Sequence, residues 1–148
     1  MLRYAPLFSV RNWRLRSQVP YRIDFDAVNR ILRSRFIGRV TGDDLREVYR
    51  FGQEHVAQLD PLSGITDFSE ATAVAFSPQT MRDLARTKPI MADKSRPVIF
   101  IAPTPEFFGM ARMFELEGGE TRPNLRVVHT ATEAYRALNV SDPQFSPV

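Results

Sequence analysis

Apolar and polar residues alternate at the start of the regular part of the chain, with Tyr21, Ile23 and Phe25 set against Arg22 and Asp24. That period of two predicts a half-buried strand. Asp26 to Arg30 supplies turn formers, and Ile31 to Ile37 alternates again, so an antiparallel hairpin is expected. The period then changes: Leu45, Val48, Tyr49, Gly52, Val56 and Leu59 fall on one stripe of a helix opened by Thr41 and Asp44 and stopped by Asp60-Pro61. Leu62 to Phe68 predicts a third strand, and Glu70 to Phe76 a small-residue loop. Ser77-Pro78 starts a second helix, with Ser77 as cap and proline where its missing N–H is harmless.

Val98 to Ala102 is apolar at every position, which predicts a strand covered on both faces. Thr104-Pro105 starts a third helix, ended by Gly118-Gly119; Leu125 to His129 is a last strand, and Thr130 to Leu138 a short final helix. The order predicts an α/β fold: a mixed five-stranded sheet, N-terminal hairpin then parallel strands, with about four helices mainly on one face. Residues 21–140 form the domain, flanked by a basic tail at 1–20 and a frayed, proline-containing tail at 141–148.

Charge and composition narrow the function. The net charge is +3, but Arg3, Arg11, Arg14 and Arg16 contribute +4 with no acid before residue 21, leaving −1 on residues 21–148. The folded body is therefore not expected to bind nucleic acid. With no cysteine, thiolate chemistry and cysteine-ligated metals are excluded. No apolar run approaches the length of a membrane span, and a cytoplasmic protein without cofactor is expected. His55 has no companion at metal-ligand spacing, so no metal site is predicted.

The candidate chemistry lies at the carboxyl ends of the parallel strands, where open α/β sheets bind ligands. Asp67, Ser69, Thr104 and His129 fall there and form a possible pocket edge. If Asp67 and His129 converge, hydrolase-type acid–base work is available to them; otherwise Asp67 holds a loop, Thr104 caps a helix and His129 ends a strand. The third helix carries more apolar surface than one core stripe needs. Phe107, Met110, Ala111 and Phe114 make that stripe, and Phe108, Arg112, Met113 and Leu116 fall outside it. This second face predicts cover by the tail or neighbouring helices, self-association as a homodimer or binding of another protein partner, or a small apolar or lipid-like ligand.

The succession YRIDFD, GRVTGDDL, ITDFSEAT, VIFIAP, FGMARMFE and VVHTATEAYRAL resembles the SpoIIAA-like branch of the STAS superfamily, the anti-sigma-factor antagonists. The resemblance covers about residues 21–140 and implies a non-enzymatic regulatory, protein-interaction domain. Members switch by phosphorylation of a serine in an Asp-Ser-Ser-Gly turn. Here that turn corresponds to Ala75-Phe76-Ser77-Pro78, so Phe76 stands at the acceptor position and only Ser77 remains as a possible phosphorylation site.

Overall fold

The computed structural model describes residues 19–59, 62–91 and 93–148. The basic stretch before residue 19, with Trp13 and its arginines, lies outside the described residues. Strand β1 (Tyr21–Asp26) pairs antiparallel with β2 (Ile31–Thr41), as the alternation predicts. Helix α1 (Gly42–Leu59) follows at once. Its start is a reciprocal box: the Asp44 N–H donates to Thr41 Oγ1 at 3.1 Å, and the Thr41 N–H donates to Asp44 Oδ2 at 3.0 Å.

Next come β3 (Ser63–Ala75), α2 (Pro78–Ala85), β4 (Val98–Ile101), α3 (Pro105–Gly118), the short 3₁₀ turn Gly119–Thr121, β5 (Leu125–Val128) and α4 (Ala131–Ala137). The Ser77 and Thr104 hydroxyls cap α2 and α3 by accepting the N–H of Thr80 and of Phe107. Strands β2, β3, β4 and β5 lie side by side and parallel. Because the order advances in one direction, right-handed crossovers put every connecting helix on the same side. Residues of α1, α2 and α3, among them Phe51, Met81 and Phe107, accordingly share one buried cluster with Tyr21, Phe36, Phe68 and Phe100 of the sheet.

Helix α4 has no further strand to reach. It packs on the opposite face, where Ala134 is fully buried against Ile31, Ile65, Ile99 and Ile101.

Two expectations need correction. The sheet has six strands, in the order β5-β4-β3-β2-β1-β6, because the terminal segment is not frayed. From α4 it runs across the second face, four strand spacings or about 19 Å. There Ser146–Pro147 adds as β6 to β1, and the Val148 N–H donates to Ile23 O. A two-residue strand containing proline has no periodicity to read. The predicted loop Glu70 to Phe76 is largely strand: β3 continues to Ala75, pairing with Gly38 to Thr41 of β2. Its side chains there are mostly small, so alternation is present in the backbone and nearly silent in hydropathy. The short β4 leaves the Val74 N–H unpaired by the sheet, and Glu106 at the start of α3 accepts it at 3.1 Å.

Candidate functional site

The sheet's first face is aromatic, as strand alternation in β2, β3 and β4 dictates. Phe36 stacks on Phe68 at 5.2 Å between ring centroids, Phe68 on Phe107 at 5.0 Å, and Phe100 leans on Phe114 at 5.1 Å. Rings of this size leave gaps where their rigid edges meet helices that cannot follow them. One such gap is a partly open cavity of about 160 Å³ between the sheet and the helical layer. Its floor is formed by alternate residues of four strands, including Leu32, Ser34, Thr66 and Leu125, and its walls by Leu45 and Val48 of α1, Leu84 of α2 and Phe114 of α3.

The connection between α2 and β4 contributes Pro89, Ile90 and Met91 to the same lining. Two glycines let this segment sit close. A Cβ on Gly52 would lie 2.6 Å from Ile90 Cδ1, and one on Gly64 would lie 3.0 Å from Met91 Cε. Gly52 therefore stands in the core stripe of α1 because Ile90 occupies the space of its missing side chain.

Besides Ser34, Thr66 and Asn124, two larger polar side chains enter this apolar lining, Tyr49 and Arg122. Tyr49 Oη is buried and has no hydrogen-bond partner. An unpaired buried hydroxyl costs free energy, and native structures hold few of them. Arg122 lies close enough for its charge and the phenol to interact, yet no bond of good geometry joins the two. Its stem crosses Gly118, where a Cβ would meet Arg122 Cδ at 2.8 Å, and its guanidinium rests 4.8 Å from the Phe114 ring centroid. Nε donates to Ala85 O at 3.4 Å, and Nη2 to Leu84 O at 3.3 Å and Thr87 O at 3.0 Å, which caps the end of α2. Burial pulls the Arg122 pKa below its ordinary value, a shift that Tyr49 opposes. Among the described residues no carboxylate pairs with it.

A second hollow, a groove of about 290 Å³ between α1 and α2, shares Tyr49 and Leu84 with the cavity and is rimmed by Arg46, Arg50 and Asp83.

The residues expected at a pocket edge do not line the cavity. Asp67 belongs to the same strand side as Ile65, and their β4 partners, Ile101 and Ile99, face α4. Its carboxylate accepts the Ser69 N–H at 2.8 Å, where the register of β3 against β2 shifts. His129 follows Val128 by one residue, turns to the other side and stacks on Phe108 at 4.2 Å with the rings 3° from parallel. Asp67 and His129 are thus two strand spacings, about 10 Å, apart and on opposite faces of the sheet. They form no catalytic pair. Thr104 does the work of a cap.

The surplus apolar face of α3 is largely covered by the chain itself. Phe108 has His129, and the half-buried Met113 has its sulfur 4.0 Å from Arg82 Nη1 of α2. Arg112 pairs with Glu115 one turn on, and Leu116 alone stays open, 72% exposed. The helical wheel identifies what lies off the main stripe, but not that α2 and the end of β5 come to meet it. Tyr49 was legible as part of the α1 stripe; Arg122 was not singled out, and the Gly118-Gly119 pair that seats it is the only local signal.

Among the described residues no group of three or more His, Asp or Glu is placed to hold a metal ion, and no helix is long and apolar enough to cross a membrane. Ser77 is exposed at the start of α2, its hydroxyl taken up by the cap. Comparison with protein families, with curated proteins and with solved structures finds nothing that matches this chain.

Proposed function

We propose that this chain is a non-enzymatic regulatory domain that holds one small apolar ligand between its sheet and the layer formed by α1, α2 and α3. The observation that carries the reading is the cavity of about 160 Å³, apolar apart from a few polar groups such as the unpaired Tyr49 hydroxyl. Apolar cavities of about 150 Å³ stay dry and accept a single aromatic ring. That size is below the roughly 300–1,000 Å³ of pockets for drug-sized ligands, so the ligand is a small molecule and not a full lipid. The resemblance to the STAS superfamily supplies the context: occupancy alters α1 to α3, and a protein partner reads that surface.

Native mass spectrometry of freshly purified protein tests this directly. The expected result is a small-molecule adduct on the monomer, retained at low activation energy and absent from Val48→Phe, which fills the space from α1. Bare protein that also gains no thermal stability from benzyl alcohol contradicts the reading.

Self-association through α3 is a second reading, favoured by Leu116 at 72% exposed. Light scattering of Leu116→Asp beside the unmodified protein decides it: a dimer that dissociates supports it, and equal masses reject it.

A further inference from the structure

We propose that the ligand of this cavity is a carboxylate: a small apolar acid whose ring or short chain fills the space between sheet and helices, and whose anion is received by Arg122 Nη1 and Tyr49 Oη. This rests on the ligand-binding reading and adds the ligand's charge and orientation to it.

Hydrogen-bond capacity supplies the first reason. A guanidinium offers five N–H donors. Capping the end of α2 uses Nε and Nη2 only, and Nη1 makes no hydrogen bond within the described residues. Tyr49 Oη is likewise a buried donor without an acceptor. Tyr49 and Arg122 both line the cavity, and the buried, unpartnered phenol beside a guanidinium with spare N–H groups defines a place for an acceptor.

Charge supplies the second. Arg122 is half-buried, lies against the Phe114 ring and has no carboxylate partner among the described residues. The cation has already lost part of its hydration in the free protein, as its lowered pKa reflects. An incoming anion therefore meets a charge that is already partly desolvated, which lowers the cost of forming the pair. A hydrocarbon ligand would leave both donors as they are, and a neutral hydroxyl would accept from them without matching the charge.

The third is local construction. Gly118 has no side chain where Arg122 Cδ would lie 2.8 Å from a Cβ, so the stem is pressed across the end of α3 and the head is held at the cavity wall. The Phe114 ring fixes the guanidinium plane from the other side. A carboxylate offers two acceptor oxygens, one for Nη1 and one for the phenol.

Calorimetric titration of the full chain with benzoate and with benzyl alcohol, ligands of matched shape that differ in charge, tests the assignment. Benzoate should bind at least about tenfold more tightly, since hydrogen bonds to a charged group carry that much. In Arg122→Gln the benzoate affinity should fall at least about tenfold while that of benzyl alcohol changes little, and Arg122→Lys should recover part of the loss. Because Arg122 also caps α2, Tyr49→Phe is the independent arm: it removes one hydroxyl, and benzoate should weaken several-fold, and by more than benzyl alcohol does. Equal binding of the two ligands by the unmodified protein, or benzoate affinity indifferent to Tyr49→Phe, overturns the carboxylate while leaving the cavity reading in place. Binding of neither ligand removes both.

Discussion

The two faces of this sheet are built on opposite principles. The first buries rings under three helices and still leaves a hollow. The second carries only one short helix, packed on a tight cluster of isoleucines, and it buries charge. Asp24, 4% exposed, receives Arg33 through two bonds of 2.8 and 2.9 Å and Arg35 through a third of 3.0 Å. The C-terminal segment lies over this cluster, with Phe145 3.7 Å from the Arg33 guanidinium. Aliphatic residues on the second face, chiefly isoleucine, fit the surface of α4, whereas rigid rings on the first do not fit three helices at once. The face with more cover is the one with room for a ligand, and the face with less is fastened by ion pairs and a strap.

Truncating the centre of the aromatic row should give the largest effect. Phe68→Ala removes a ring in contact with Phe36, Phe100 and Phe107 and is expected to cost about 3–5 kcal/mol in chemical denaturation. A loss below about 1 kcal/mol would mean that the first face packs too loosely for its cavity to have a defined shape. On the second face Asp24→Ala strands two partly buried arginines, and a loss of about 3 kcal/mol is expected. If high salt abolishes that difference, the cluster behaves as solvent-exposed charge and the contrast between the faces fails.

Phe145→Ala should be smaller, about 1–2 kcal/mol, through lost stacking on Arg33 and lost packing on α4. Hydrogen exchange should then quicken at Val148, whose N–H is held by Ile23 O, while the first-face helices keep their protection.

The smallest effect is a matter of pH. Asp26 is buried, which raises its pKa, but bonds from Asn29, Gln144 and Val28 outweigh burial and hold it below the ordinary 3.8. The folded pKa lies under the unfolded one, so the contribution is whole above about pH 3.8 and fades as pH falls through the folded value. Acid should therefore loosen the Gln144 attachment first, and Asp26→Asn should flatten that part of the stability profile. A Gln144 amide that keeps its protection as Asp26 protonates would separate the strap from the carboxylate.

How much of this was legible follows from what carries a pattern. The hairpin, the caps of four helices and the single-sided helical layer were readable, because alternation, Thr-x-x-Asp spacing and Ser-Pro or Thr-Pro starts act locally. The second half of β3 was hidden by Ala71, Ala73 and Ala75, whose side chains are too small to mark a face. The strap was hidden because β6 depends on an edge that only the completed sheet provides. His129 does follow the end of β5, but Asp67 lies inside the longer β3, and one residue of offset reverses the side on which a side chain emerges. A cavity has no residue of its own: it is the mismatch of Phe68, Phe100 and Phe114 with Val48 and Leu84, and no stretch of chain records it. Arg122 was overlooked for a related reason, since an arginine after a helix end reads as surface until the end of α2 is brought against it.

The most direct test of the contrast is methyl NMR of the protein equilibrated with dissolved xenon, which enters apolar cavities without any polar contact. The methyls of Leu45, Val48, Leu84 and Met91 should shift in a saturable way, and those of Ile31, Ile99 and Ile101 beneath α4 should not. Saturable shifts under α4, or none on the first face, would contradict the claim that this protein is organised around a space on one side of its sheet.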